Sequence, residues 1–239
     1  MILVAEAAQI QIANRLLWEC RNVTPDARIL EVGIGSGMIA MQLAPCCKTY
    51  SGCDISKIVL DKLDGMAKER KMNNLRLYPY AADEIYHIQE KFDIILMSSV
   101  TEYFSGYNYL RKVIERCIEQ IDGKGVILFA DIFDLDKKDS YRQSVYQYAK
   151  AHPGVRYKRD FSHELFIPHE YWKDIANQFP HITKTFISDK IGRYKNEINR
   201  FRYDVLFEVN HSHQWQEEVP LYKYQFGMCD FLNTNERAV

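Results

Sequence analysis

The sequence predicts an α/β domain built on a largely parallel sheet with helices on both faces. Five strand-like apolar runs are separated by helix-like segments between residues 28 and 133, the rhythm of strand-crossover-strand units. Those runs are nearly continuous in apolar residues, as strands covered on two sides require. The first of them ends in a glycine-rich turn, ILEVGIGSGMIA over residues 29–40, where a strand hands over to a helix and a ligand can approach the backbone.

Taken in order, RILEVG leads to GMIAMQLA, TYSGCD to SKIVLDKLDGMAKERK, LRLYPYA to ADEIYHI and FDIILMSSV to NYLRKVIERCIEQI, and GVILFADIF supplies the fifth strand. Asp122-Gly123-Lys124-Gly125 reads as a glycine stop before that strand. After Asp131 the rhythm changes. Residues 135–180 are rich in Tyr, Lys, Arg, Asp and His and contain two expected helices, near 138–151 and 168–178, the second opened by Pro168. This stretch reads as an insert. HITKTFIS and RFRYDVLFEV then supply two strands that close the sheet as a pair. The expected domain occupies residues 1–209, and residues 210–239, which show no sustained period, read as a tail or interdomain linker.

With 239 residues, 47% hydrophobic and 26% charged, the chain has the composition of one globular domain. Its 31 basic and 32 acidic side chains give a net charge of -1, which provides no field to hold nucleic acid or an anionic membrane nonspecifically. The apolar runs are strand length, far below the roughly 18–20 residues that span a bilayer, and MILVAE is too short for a secretory core. A cytoplasmic protein is expected. The six cysteines form no C-x-x-C pair, and no metal site is expected.

Gly33, Gly35 and Gly37 make G-x-G-x-G, with Met38 where a dinucleotide fingerprint carries its third glycine, and no P-loop G-K-S/T is present. These departures count against NAD, FAD and ATP. With Glu31 two residues before the first glycine and Asp54 ending the next strand, the turn resembles motif I of the class I S-adenosylmethionine-dependent methyltransferases. Ala82-Asp83-Glu84 stands where that family has its adenine-edge segment, and Phe92 to Val100 resembles motif IV, whose strand end lies beside the methyl group. The resemblance covers residues 15–209. It implies a Rossmann-like seven-stranded fold with a helical lid between strands 5 and 6, and S-adenosyl-L-methionine as cofactor. Glu31, Gly33, Gly35, Gly37, Asp54, Ile55, Ala82, Asp83 and Ser98 are the expected cofactor residues, Asp54 on the ribose hydroxyls and Asp83 on the adenine amine. Asp83 also suits a helix N-cap.

SSVTEYFSGYNYLRKVIE, the insert phrase HELFIP and RFRYDVL look like the methyltransferase domains of modular polyketide and nonribosomal peptide synthases, nearest to O-methyltransferase domains of trans-acyltransferase polyketide lines. That similarity implies O-methylation of a hydroxyl on an intermediate held by an acyl carrier protein, with neighbouring synthase domains as partners. The alternatives are N- or C-methylation, or a cofactor-binding docking domain without catalysis. A hydroxyl is a weak nucleophile and needs a base. His163 is the expected base, oriented by Glu102 or Glu164. Tyr103 and Tyr107 are expected to contact substrate, although part of the aromatic cluster around them suits a core. The family's histidines near Ser105 and Tyr107 are absent here. Arg202, Tyr203 and Asp204 on the last strand are motif-like, as is Glu197, but charged residues on a strand are more often structural or exposed.

Overall fold

The computed structural model describes residues 23–154, 160–190 and 196–213; most of the expected tail therefore lies outside the described residues. Seven strands form one sheet: β1 (Arg28–Val32), β2 (Thr49–Cys53), β3 (Leu75–Tyr78), β4 (Phe92–Ser98), β5 (Ile121–Phe133), β6 (Ile182–Asp189) and β7 (Arg202–Asn210). Their order is β3-β2-β1-β4-β5-β7-β6. β7 runs antiparallel to β5 and β6, while the pairs from β3 across to β5 are parallel. Strand order reverses between β1 and β4, which opens a crevice at their C-terminal ends, the place where open α/β sheets bind ligands.

The helices are α1 (Ala40–Leu43), α2 (Lys57–Glu69), α3 (Tyr107–Gln120), α4 (Lys138–Ala151), α5 (His169–Ala176) and α6 (Glu197–Phe201). In α3 the residues Leu110, Val113, Ile114, Cys117 and Ile118 are all buried, a spacing of three and four that puts one stripe on the sheet. Each such side chain contributes about 1.5–3 kcal/mol when fully removed from water. Two apolar clusters cover the two faces. One joins α3 and α5 to Leu30, Ile95 and Phe129, and the other joins α1 and α2 to Ile29, Leu96 and Leu128.

Three local expectations differ from the structure. The helix after the glycine turn is only four residues long and gives way to a 3-10 turn at Ala44–Cys46 with Pro45 in its first turn. Proline has no N–H to extend the α-helical ladder. ADEIYHI is likewise a 3-10 turn, Ala82–His87. The glycine stop does not separate helix from strand: α3 runs straight into β5, where Ile121 pairs with Phe92 and Val126 with Ile94. Residues between them form a bulge, with Gly123 at φ 65.

The insert folds as α4, a connecting segment and α5. Phe133, Tyr141, Phe161, Phe166 and Phe201 give it a small aromatic core of its own. It is fastened to the sheet where Ile167 N donates to Phe133 O at 2.9 Å and Leu165 N to Glu102 O at 3.0 Å.

Candidate active site

A cleft of about 530 Å³ opens at the C-terminal ends of β1, β2 and β4, within the range of small-molecule sites. Its floor is the glycine turn, one side is the β2 end with Asp54 and Ile55, and the far side runs from Ser99 to Ser105. Tyr80, Ala82 and Tyr109 close the remaining edge.

The glycines are required by geometry at two positions. Gly33 sits at φ 75, and a Cβ there would overlap the Val100 side chain across the cleft floor. Gly37, at φ 74, would drive a Cβ into Leu63 of α2. Only glycine adopts such angles without steric cost. The amides of Gly33 and Ile34 both donate to Cys53 O, at 2.8 and 3.0 Å, which ties the turn to the end of β2. Asp54 completes the tie: its Oδ2 accepts from Gly35 N at 3.0 Å and its Oδ1 from Ser56 N at 2.8 Å. An ionised carboxylate has about four acceptor sites, so both oxygens retain capacity toward the cleft.

Glu31 lies behind this floor, 3% exposed and outside the lining. Burial pushes its carboxyl up to about 8, opposed by the hydrogen bond that Tyr50 Oη donates to its Oε2 at 2.7 Å. Among the other expected cofactor residues, Gly33, Gly35, Asp54, Ile55 and Ala82 line the cleft, while Gly37 packs against α2. Asp83 turns toward α3, accepting from Tyr109 Oη and Lys112 Nζ, both at 2.8 Å. The Lys112 ammonium leads in holding its carboxyl below the usual range. Ser98 is buried, and its hydroxyl donates to Asp131 Oδ2 at 3.1 Å.

The expected catalytic trio is not gathered in the cleft lining. His163 is exposed on the insert. Glu164 is half-buried on the same segment, near Tyr141. Glu102 is buried in the 3-10 turn after β4, where Arg202 Nη1 donates to its Oε1 at 3.0 Å. Burial pushes its carboxyl up more strongly than the Arg202 charge pulls it down. Tyr103 lines the cleft mouth and is 77% exposed. Tyr107 is beside the cleft rather than in it, its hydroxyl donating to Phe166 O at 2.8 Å and its ring against Tyr171.

Beneath the Ser99 wall is a buried ionic network that spacing alone does not reveal. Lys190 Nζ bridges Asp131 Oδ1 at 2.6 Å and Asp204 Oδ1 at 2.5 Å. Arg202 joins Glu102 to Glu197 and also donates to Asp131 O at 3.2 Å. Although burial works to raise it, the Lys190 ammonium holds the Asp131 carboxyl below the usual range. The available sequence cue is an acid at the C-terminal end of an apolar strand, GVILFAD, the edge where ligands bind. Among the described residues, no group of three or more His, Cys, Asp or Glu is placed to hold a metal ion, and no helix is long and apolar enough to cross a membrane.

Residues 30–127 match the family model described as a methyltransferase domain, a span that contains the glycine turn, Asp54 and the β4 wall. Over that span the chain is similar to methyltransferase domains, and the order and direction of its seven strands are those of the class I methyltransferase fold. Similar solved structures share that fold. They include an N-methyltransferase, NodS, from Bradyrhizobium japonicum WM9 (TM-score 0.60, 13% identity, 85% of this chain and 96% of that one). A methyltransferase from Clostridium acetobutylicum has TM-score 0.59 at 17% identity over 83% and 89% of the two chains.

In sequence the chain is similar to chondramide synthase cmdD of Chondromyces crocatus, 30% identical over 192 residues, and to the nonribosomal peptide synthetase CymA of Salinispora arenicola, 27% over 186 residues. Each alignment covers 76% of this chain but only 5% and 2% of those proteins.

Proposed function

We propose that this domain methylates the amino nitrogen of an aminoacyl or peptidyl group tethered to a carrier protein, within an assembly line of the nonribosomal peptide type. The observation that carries this reading is the similarity over 76% and 77% of the chain to proteins named as nonribosomal peptide synthetases, whose intermediates present amines. S-adenosylmethionine supplies an electrophilic sulfonium methyl. The cleft suits it: Gly33 and Gly35 present bare backbone to the lining, and Asp54 offers acceptor sites for ribose hydroxyls. Gly33, Gly35, Asp54, Ile55 and Ala82 would hold it.

Methyl transfer forms a C–N bond with the amine lone pair while the C–S pair stays on sulfur, and the nitrogen then sheds a proton to water. A neutral amine has its nucleophilic pair ready, so orientation does most of what this chain must contribute. The hydroxyl acceptor expected from the sequence asks for more, a base beside the methyl group. His163, the residue expected to act so, is exposed on the insert and not among the lining residues.

The test is label transfer from S-adenosylmethionine to alanyl-pantetheine and lactyl-pantetheine thioesters, which differ only in NH2 against OH. Label on the alanyl probe is expected. Label on the lactyl probe alone would overturn the nitrogen assignment in favour of O-methylation, and label on neither would remove the carrier-bound heteroatom reading.

A further inference from the structure

The cleft wall at the end of β4 is held in a conformation that its sequence does not favour. Ser99 has φ 54 and Asp131, on the neighbouring strand, has φ 62. A non-glycine residue in the left-handed region costs about 1–2 kcal/mol, and it persists where the surroundings over-determine it. Here they do. Ser99 N donates to Ala130 O at 3.1 Å, and the Ser99 hydroxyl donates to Asp131 Oδ2 at 2.9 Å. The same oxygen accepts the Ser98 hydroxyl, while Asp131 Oδ1 is taken by Lys190. Asp131 N in turn donates to Asp204 Oδ1 at 3.0 Å.

This division of the Asp131 carboxylate fixes a direction. Paired with Lys190 it is ionised and only accepts, so Ser99 has to spend its single proton inward. What the Ser99 oxygen retains is lone pairs, on a residue that lines the cleft. We propose that Ser99 is the hydrogen-bond acceptor for the N–H of the incoming amine, and that Asp131 is the positioning residue that keeps the Ser99 hydroxyl turned away from it. The inference rests on the nitrogen reading above and names the group that aims the nucleophile's lone pair.

The test is a cycle of two variants and two probes on the full chain saturated with S-adenosylhomocysteine. Alanyl-pantetheine carries the amine, and propionyl-pantetheine replaces it with hydrogen. Ser99→Gly removes the hydroxyl, and because glycine tolerates the backbone angle it adds no strain of its own. Wild type should bind the alanyl probe about fivefold tighter than the propionyl one, the worth of one hydrogen bond, and Ser99→Gly should lose that preference, with affinity for S-adenosylhomocysteine unchanged. Asp131→Asn, whose amide can turn its NH2 toward Ser99, should lose it in part. Equal binding of the two probes by wild type, or a preference intact in Ser99→Gly, overturns the proposal even if methyl transfer to the alanyl probe is seen. Failure of that transfer bears instead on the proposed function.

Discussion

The two halves of the sheet handle a buried glutamate in opposite ways. On the cofactor side Glu31 has a neutral partner, the Tyr50 hydroxyl, and its carboxyl is pushed up to about 8. On the insert side Glu102 is almost equally buried but faces Arg202, which reaches it from 100 residues away. The first half is organised by backbone: glycines, strand-end carbonyls and one aspartate that clasps a turn. The second is organised by charge, with Arg202 and Lys190 pinning the ends of β4, β5 and β7 together. A cleft floor made of backbone suits a ligand common to a whole class, while a wall fixed by side chains can be retuned to an acceptor.

The largest expected effect breaks the neutral pair. A folded carboxyl at about 8 against an ordinary 4.5 means that the native state holds its proton more tightly than the unfolded chain, so stability falls as pH rises between those values. Linkage sets an upper bound of about 5 kcal/mol on that fall. Glu31→Gln should flatten this part of the profile and be more stable than wild type at pH 8 in urea melts; parallel profiles would contradict it. Next is the charged pair. Arg202→Ala leaves Glu102 buried without its counter-ion and should cost about 3–5 kcal/mol near neutral pH. The loss should shrink toward pH 5 as Glu102 takes a proton. Denaturation at both pH values measures it.

Gly33→Ala should weaken S-adenosylhomocysteine binding by roughly a hundredfold, from the angle penalty plus the overlap with Val100, with little change in secondary structure by circular dichroism. The smallest effect belongs to the rim. Tyr103→Ala, on a side chain 77% exposed at the cleft mouth, should change stability by no more than about 0.5 kcal/mol and act on KM for the acceptor rather than on cofactor affinity.

The same contrast explains what the sequence made legible. The glycine turn and Asp54 stand 19 residues apart at the ends of adjacent strands, and local period plus turn chemistry locates both. The largely parallel sheet and the pair that closes it follow from alternation and from the two strand-like runs after the insert. Ser99 and Asp131 are 32 residues apart, and Arg202 and Glu102 are 100; such pairs exist only once the sheet is assembled, and a single sequence shows their members as unrelated polar residues. Arg202 and Asp204 appeared as structural charges on the last strand, but their partners did not. His163 drew attention because imidazole titrates near neutrality, a property of the residue that says nothing of where the insert points it. The short α1 and the bulge at Gly123 depend on Pro45 and on the β4 register, which override helix propensity and glycine punctuation.

The central claim is that the turn from Gly33 to Gly37 and the Asp54 carboxylate form the binding floor for S-adenosylmethionine. Calorimetric titration with S-adenosylhomocysteine tests it most directly, in wild type and in Asp54→Ala. The account predicts one-to-one binding to wild type and at least about a tenfold loss in the variant, the equivalent of about 1.4 kcal/mol. No binding to wild type, or equal affinity in both proteins, would contradict it.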